Sequence, residues 1–469
     1  MNIQQISFII PNFTKKQEVS KINTKTYITN PTSTTNLAPL KCDTVSFGRI
    51  AKNAEPLRAL MSYGIPDMYS GKIVIPPSTI EELFAKHVFS KPIKNLVKII
   101  VPFEQSLLTV EKQFFNIVNN MVKYEPQYTL ADVVKKIAPE HNKKLLTIQK
   151  PIFDDIDNYA EKLPKDLKSQ YDKLKEIINK KLYREPMVLP FSAKEFQYKL
   201  QRIADELTHK NKHKEAGIVK SMIQISKKIP EKTPDEIEPL DFSLSKAVRN
   251  KKKRTLKALM KKRAEFLTQI ELLSMDNDLK NNTDLTKLFS QTRAIIYGIP
   301  IVIPFNRKSF IYELQKITDQ LEDKKLARKM VIKATSLPTS HEDLSAFVMK
   351  CVEYSSDKIG YNMVAGSAGS IDHLIPFVKK GKDCIENYGI SSAYYNSERA
   401  ERPIAQQLKK YPETYVNCQK QVDRLIELCN NGTFKKVKLP KHYITTFVNR
   451  MYNLSPEDNR LILNIDKLK

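Results

Sequence analysis

Apolar residues recur at three- and four-residue steps through most of this chain. In "LLTVEKQFFNIVNNMVKY", residues 107–124, and again in "KDLKSQYDKLKEIINKKL", residues 165–182, they form one stripe with polar residues opposite. That spacing predicts amphipathic helices. Pro126, Pro139, Pro151 and Pro164 are expected to mark helix boundaries. Eleven glycines in 469 residues also favour helices over hairpins. Residues 14–47 are rich in Thr, Asn, Ser and Lys without any period, so a disordered tail is expected there. The pattern divides the chain into a tail (1–47), a helical region (48–182), a middle region (183–357) and a C-terminal domain (358–469). The predicted class is mainly α with small β elements.

One repeat stands out in the middle. "PMVLPFSAKEFQYKLQRIADEL" from Pro186 and "PIVIPFNRKSFIYELQKITDQL" from Pro300 align without gaps. They share Pro190/Pro304, Phe191/Phe305, Lys194/Lys308, Phe196/Phe310, Tyr198/Tyr312, Leu200/Leu314 and Leu207/Leu321. A shorter echo, "GKIVIPPSTIEELF", spans Gly71–Phe84. Each reads as a short apolar strand, a proline and a helix. Two or three copies are too few for a solenoid. A duplicated structural module explains the pattern, and so would two modules gripping one extended partner.

Composition narrows the function. The net charge is +26. That excess points to polyanions, nucleic acid first and anionic membrane surfaces second. The densest basic run is "SKAVRNKKKRTLKALMKKR", Ser245–Arg263, which suits a solvated helix face or phosphate contacts. No apolar run approaches the ~20 residues of a membrane span. The N-terminus lacks a basic n-region and a small-residue cleavage site, so no signal peptide is expected. Five cysteines without a C-x-x-C pair suit a reducing cytoplasm. There is no G-x-x-x-x-G-K-[ST] loop. "GYNMVAGSAGS", Gly360–Ser370, is expected to be a flexible approach to a strand. His209 and His213 have i,i+4 spacing but lack the glutamate of a zinc protease.

The chemistry concentrates in "SIDHLIPFVKKGKDCIENYGISSAYYNSERAERP", Ser370–Pro403. Ile371–Phe377 reads as a strand, "KKGKD" as a turn needing Gly381, "CIENYGI" as a second strand or its approach. A helix is expected from about Asn396. Asn387 follows His373 by fourteen residues, and Asn396 follows Asn387 by nine. This stretch resembles the ββα-metal core of HNH endonucleases, in the H-N-N variant. The likeness covers about thirty-five residues. Taken singly, Asp372 and His373 also suit a polar pair ending a strand, Asn387 a turn, and Asn396 a helix N-cap.

The resemblance implies a metal-dependent nuclease acting on nucleic acid, DNA before RNA. It implies His373 as general base, Asp372 and Asn396 as ligands of one divalent ion (Mg²⁺ before Mn²⁺), Asn387 as the residue tying the turn, and Arg399 as a phosphate clamp. Many HNH proteins also brace the fold with zinc on two cysteine pairs. Here "DMYSGK", Asp67–Lys72, is similar to the first knuckle with Asp67 and Ser70 in the cysteine places, and Ser392 and Tyr395 stand for the second pair. No structural zinc is therefore expected, and Tyr394, Tyr395 and the C-terminal helices are expected to brace the fold. The match also predicts that about Pro77–Asp357 is an insertion, which would bring Ser70 next to Tyr395. The same losses suit a catalytically inactive HNH scaffold that binds nucleic acid or another partner.

Overall fold

The computed structural model describes residues 54–209, 212–230, 246–275, 279 and 282–469. The expected tail, Cys42 and Ser245 lie outside the described residues. The chain is mainly helical, with one small two-stranded antiparallel sheet. The helices run α1 (Glu55–Met61), α2 (Pro77–Ala85), α3 (Ile93–Ile100), α4 (Thr109–Met121), α5 (Leu130–Ala160), α6 (Lys165–Leu182), α7 (Ala193–His209), α8 (His213–Ser226), α9 (Lys246–Met275) and α10 (Thr283–Ile296). Then follow α11 (Arg307–Thr318), α12 (Lys324–Thr335), α13 (Leu344–Cys351), α14 (Ser356–Ala365), α15 (Ala393–Arg399), α16 (Ile404–Lys410), α17 (Thr414–Asn430), α18 (Thr433–Lys436) and α19 (His442–Leu454). The strands are β1 (Gly369–His373) and β2 (Tyr388–Ser392). Many helices start on local caps: Thr129 with Asp132 closes a capping box on α5, and Asn282, Asn306, Asp323, Asp343 and Ser355 accept from first-turn amides.

Two of the four prolines are not boundaries. Pro139 and Pro151 lie inside α5. Each removes a helix hydrogen bond, at about 3 kcal/mol. Packing on the flanking turns offsets that cost: Val134, Ala138 and His141 are buried on one side, Ile156 and Ala160 on the other. No helix among the described residues is long and apolar enough to cross a membrane.

The insertion expectation agrees with the packing. Residues 54–74 share a core with residues from Leu374 to Leu463, not with the helices that follow them. The chain leaves that core at Ile75 and returns at Ala368. There Ile75 N–H donates to Ser367 O (2.9 Å) and Gly369 N–H to Ile75 O (2.7 Å). A second core, spanning α2 to the first half of α5 together with α13 and α14, sits at this junction.

The sequence repeat is the visible part of a larger duplication. The first copy is α5, α6, a short extended segment, α7 and α8. The second is α9, α10, a segment, α11 and α12. Both segments follow the same helix end. Arg184 (φ 55°) and Gly298 (φ 66°) take the left-handed conformation, and the next amide reaches back to Lys180 O and Ala294 O. Met187 and Ile301, equivalent positions, pair with each other as an antiparallel bridge. The two copies thus meet about a local pseudo-dyad and exchange halves. One core combines α7 and α8 with α9 and α10, and the other combines α5 and α6 with α11 and α12. One residue of each segment is thus paired with the other segment.

Gly360–Ser370 is not a flexible approach. Its first half is helix α14, and Gly366, Ser367 and Ala368 are buried. A Cβ at Gly360 would lie 2.2 Å from the Phe89 ring. Glu111 clamps the turn: it accepts from Leu108 N–H (3.0 Å), Gly366 N–H (2.8 Å) and the Ser367 hydroxyl. Burial pushes its carboxyl up to about 7 despite those bonds. The folded chain therefore holds a proton that the unfolded chain, titrating near 4.5, releases. This contribution is full below pH ~4.5 and is lost as pH rises through ~7, up to about 3 kcal/mol. Urea unfolding at pH 5 and pH 8 should show that fall in the wild type and a flatter profile in Glu111→Gln. Identical pH slopes for the two proteins would refute it.

Candidate functional site

β1, β2 and α15 form the predicted strand–turn–strand–helix. The register pairs Gly369 with Ser392 and His373 with Tyr388. β1 ends at His373, short of the expected Phe377. The helix begins at Ala393, earlier than expected, because the Ser392 hydroxyl caps it by accepting from Tyr395 N–H (3.5 Å). Asn396 is therefore mid-helix and not its N-cap.

The long loop between the strands is fastened from inside. Asn387 is buried; its Oδ1 accepts from Ile375 N–H (2.9 Å), and its Nδ2 donates to Ile375 O (2.9 Å) and Lys382 O (3.0 Å). One amide thus fixes both ends of the loop after His373, the tying role expected of it. Gly381 is required by closeness: a Cβ would sit 1.9 Å from Ile375 O. The left-handed residue of the turn is Lys380 (φ 63°).

His373 and Asp372, adjacent in the strand, face different surroundings. His373 is half-buried, edge-on to Tyr388, with Nε2 3.1 Å from Asp383 Oδ1. The Tyr388 hydroxyl donates to the same carboxylate oxygen. A carboxylate only accepts, so Nε2 is the donor there, and in the neutral ring the lone pair falls on Nδ1. Asp372 is buried, its side chain 2% exposed. Its Oδ2 accepts from Tyr69 Oη (2.6 Å) and Arg399 Nε (2.8 Å), and its Oδ1 from Arg399 Nη2. Burial and the neighbouring carboxylate push the Tyr69 phenol well above its ordinary value, which keeps it a donor.

Arg399 is spent in place. Besides Asp372 it donates to His373 O and to Arg402 O (2.7 Å), and its side chain is 1% exposed. It is a buried bidentate partner and not the free phosphate clamp expected of it. Asn396 Nδ2 donates to Ser370 Oγ (2.7 Å) and Ile371 O (3.1 Å). Its Oδ1 is turned to no partner among the described residues. A cleft of about 170 Å³ is lined by Asp372, His373, Val378, Asn396, Arg399 and Glu401.

The expected metal ligands do not fit a hard divalent cation as folded. Such an ion needs oxygen lone pairs open to a hydrated site. Asn396 offers one, but both Asp372 oxygens are held by Arg399 and Tyr69 in a buried position. No cluster of three His, Cys, Asp or Glu side chains is suited to a metal among the described residues. His209 and His213 fall on different helices, closing α7 and opening α8.

The knuckle positions do converge. Asp67 is buried and accepts from Tyr69 N–H (3.0 Å) and Ser70 Oγ (2.7 Å), and Ser392 reaches it with backbone and side chain. Tyr395 lies beside them, its ring centre 6.0 Å from that of Tyr69. A carboxylate, two hydroxyls and one tyrosine thus occupy the four positions. Burial raises the Asp67 carboxyl against these hydrogen bonds. Helix α17 braces both parts: Gln421 Nε2 donates to Pro66 O (2.6 Å) and Ile390 O (2.8 Å), and Asn417 Nδ2 to Tyr69 O (2.7 Å).

Sequence reasoning missed Asp383 and Tyr69. Asp383 sits ten residues beyond His373 inside what reads as an ordinary polar turn. Tyr69 is 303 positions from Asp372. Its only sequence signal is its place inside the knuckle-like "DMYSGK". Set against family models, curated proteins and solved structures, the chain matches none of them.

Proposed function

We propose that this ββα element is the active site of an HNH-type endonuclease that hydrolyses phosphodiester bonds in nucleic acid, with DNA as the first substrate. The observation that carries the reading is His373 at the end of β1, with Nε2 3.1 Å from Asp383 Oδ1 and the following loop fastened by Asn387. In that role Nδ1 takes a proton from the attacking water while Asp383 fixes the tautomer and steadies the resulting imidazolium. Lys379, Lys380 and Lys382 are exposed on the same loop and supply positive charge for the phosphate backbone. Catalysis with Mg²⁺ or Mn²⁺ on Asp372 and Asn396 would require Arg399 to release its carboxylate partner. The test is nicking of supercoiled plasmid with Mg²⁺, with Mn²⁺ and with EDTA, comparing wild type with His373→Ala. Nicking by the wild type alone supports the reading, and equal nicking by both overturns it.

One observation favours a second reading. The Asp372–Arg399 pair turns the expected metal ligand into a structural ion pair, as suits an inactive scaffold that binds nucleic acid. Duplex binding without nicking under any of the three conditions would select that reading.

A further inference from the structure

The duplication sets up a comparison between α5 and α9. Their second halves are equivalent and buried alike, with Ile156 matching Ile270 and Ala160 matching Ser274. Their first halves differ. On α5, Val134, Ala138 and His141 are buried under α13, and His141 Nδ1 lies 2.9 Å from Ser345 Oγ. On α9, no side chain described from Val248 to Lys262 is buried, though Met260 is half-buried against the neighbouring core.

The sequence of that less covered half differs accordingly. Ten Lys and Arg fall between Lys246 and Arg263, without one acidic residue. Lys251, Arg254, Lys257, Lys261 and Lys262 are exposed. At ~100° per residue these five lie within one side of the helix, opposite Arg263, Leu267 and Ile270, which face the core. None of the five forms an ion pair among the described residues. From Lys251 to Lys262 the helix rises about 16 Å. That equals roughly five base pairs of duplex at 3.4 Å each.

We infer that the first half of α9 is a docking arm for the phosphate backbone of duplex DNA, at the place where the first copy is covered by α13. Charge complementarity selects the occupant. Five cations on one exposed side, with no acid among them, suit a polyanion, and an apolar helix such as α13 could cover them only by stripping their hydration. A membrane is the poorer fit, because an interfacial helix buries large apolar and aromatic side chains. Here Val248 and Leu256 are the exposed large apolar residues, and no aromatic precedes Phe266. The arm carries no base-reading geometry, so its contacts are independent of sequence. The inference does not depend on cleavage by His373.

The test uses the full chain in EDTA, where cleavage plays no part. Fluorescence anisotropy measures binding to two labelled 30-base-pair duplexes of unrelated sequence over a range of salt. The variant carries Lys251→Gln, Arg254→Gln, Lys257→Gln, Lys261→Gln and Lys262→Gln. A second variant carries Arg in place of the four lysines, which keeps the charge. The glutamine variant should bind both duplexes at least about tenfold more weakly, with a salt slope shallower by up to ~4. The arginine variant should bind as the wild type does. Since these side chains are exposed, melting curves should coincide. Unchanged duplex binding by the glutamine variant overturns the inference. So does absence of duplex binding by the wild type. So does a loss seen only on phosphatidylserine-containing vesicles.

Discussion

Arg399→Ala should destabilise the protein by about 3–5 kcal/mol, the range expected when one member of a buried ion pair is removed. The reason lies in what is left behind. Asp372 would keep the Tyr69 hydroxyl as its one remaining donor, in a site with almost no solvent access. Two carbonyls, of His373 and Arg402, would lose their donor as well. Removing both charges is a milder change, because no unpaired charge stays buried. The double variant Asp372→Leu/Arg399→Met should therefore be more stable than Arg399→Ala. Urea unfolding of the wild type, Asp372→Leu, Arg399→Met and the double variant closes the cycle, with Arg399→Ala measured beside them. A loss below about 1 kcal/mol for Arg399→Ala would contradict the buried pair. Asp372 would then be hydrated and open to a cation, and the metal-dependent reading would gain by it.

His373→Ala should lower plasmid nicking by about 10²–10⁴-fold, the usual contribution of a positioned acid–base group. Duplex binding should be kept, because the basic loop and α9 are untouched. Asp383→Asn probes the same device from outside. Asparagine can turn its amide N–H toward Nε2, which makes Nε2 the acceptor and moves the proton to Nδ1. Nicking should then fall by about 10–100-fold, as it does when a histidine loses its outer partner. A Tyr388→Phe control removes the hydroxyl from the same carboxylate and should cost less. If Asp383→Asn nicks as fast as the wild type, the tautomer argument fails, whatever His373→Ala shows.

The local features of this fold were legible in the sequence. Period and length gave the helices. The run from Ser370 to Arg399 announced two short strands and a helix, since alternation, the loop residues and the helix start are all encoded within a few residues. The likeness of "DMYSGK" and Ser392–Tyr395 to the two cysteine pairs of HNH proteins implied an insertion, and residues 54–74 do share a core with the C-terminal part of the chain. The repeat at Pro186 and Pro300 marked a duplication, though only about a quarter of its length.

The tertiary structure alone decided the rest, and the reasons are physical. A proline inside α5 reads locally as a break, and only packing on both sides lets the helix continue through it. Exchange of halves between the two copies leaves no sequence trace, because the same apolar faces would fill a core with either partner. The state of Asp372 depends on Tyr69 and Arg399 arriving from different elements, one of them across the whole insertion. Burial then sets its chemistry: Asp372 would suit a metal site in a wet cleft, and here it forms an ion pair with Arg399 that has almost no access to water. The sequence determined which residues stand at the end of β1; the packing around them determined that His373 lines a cleft and that its neighbour Asp372 is a buried counter-ion to Arg399.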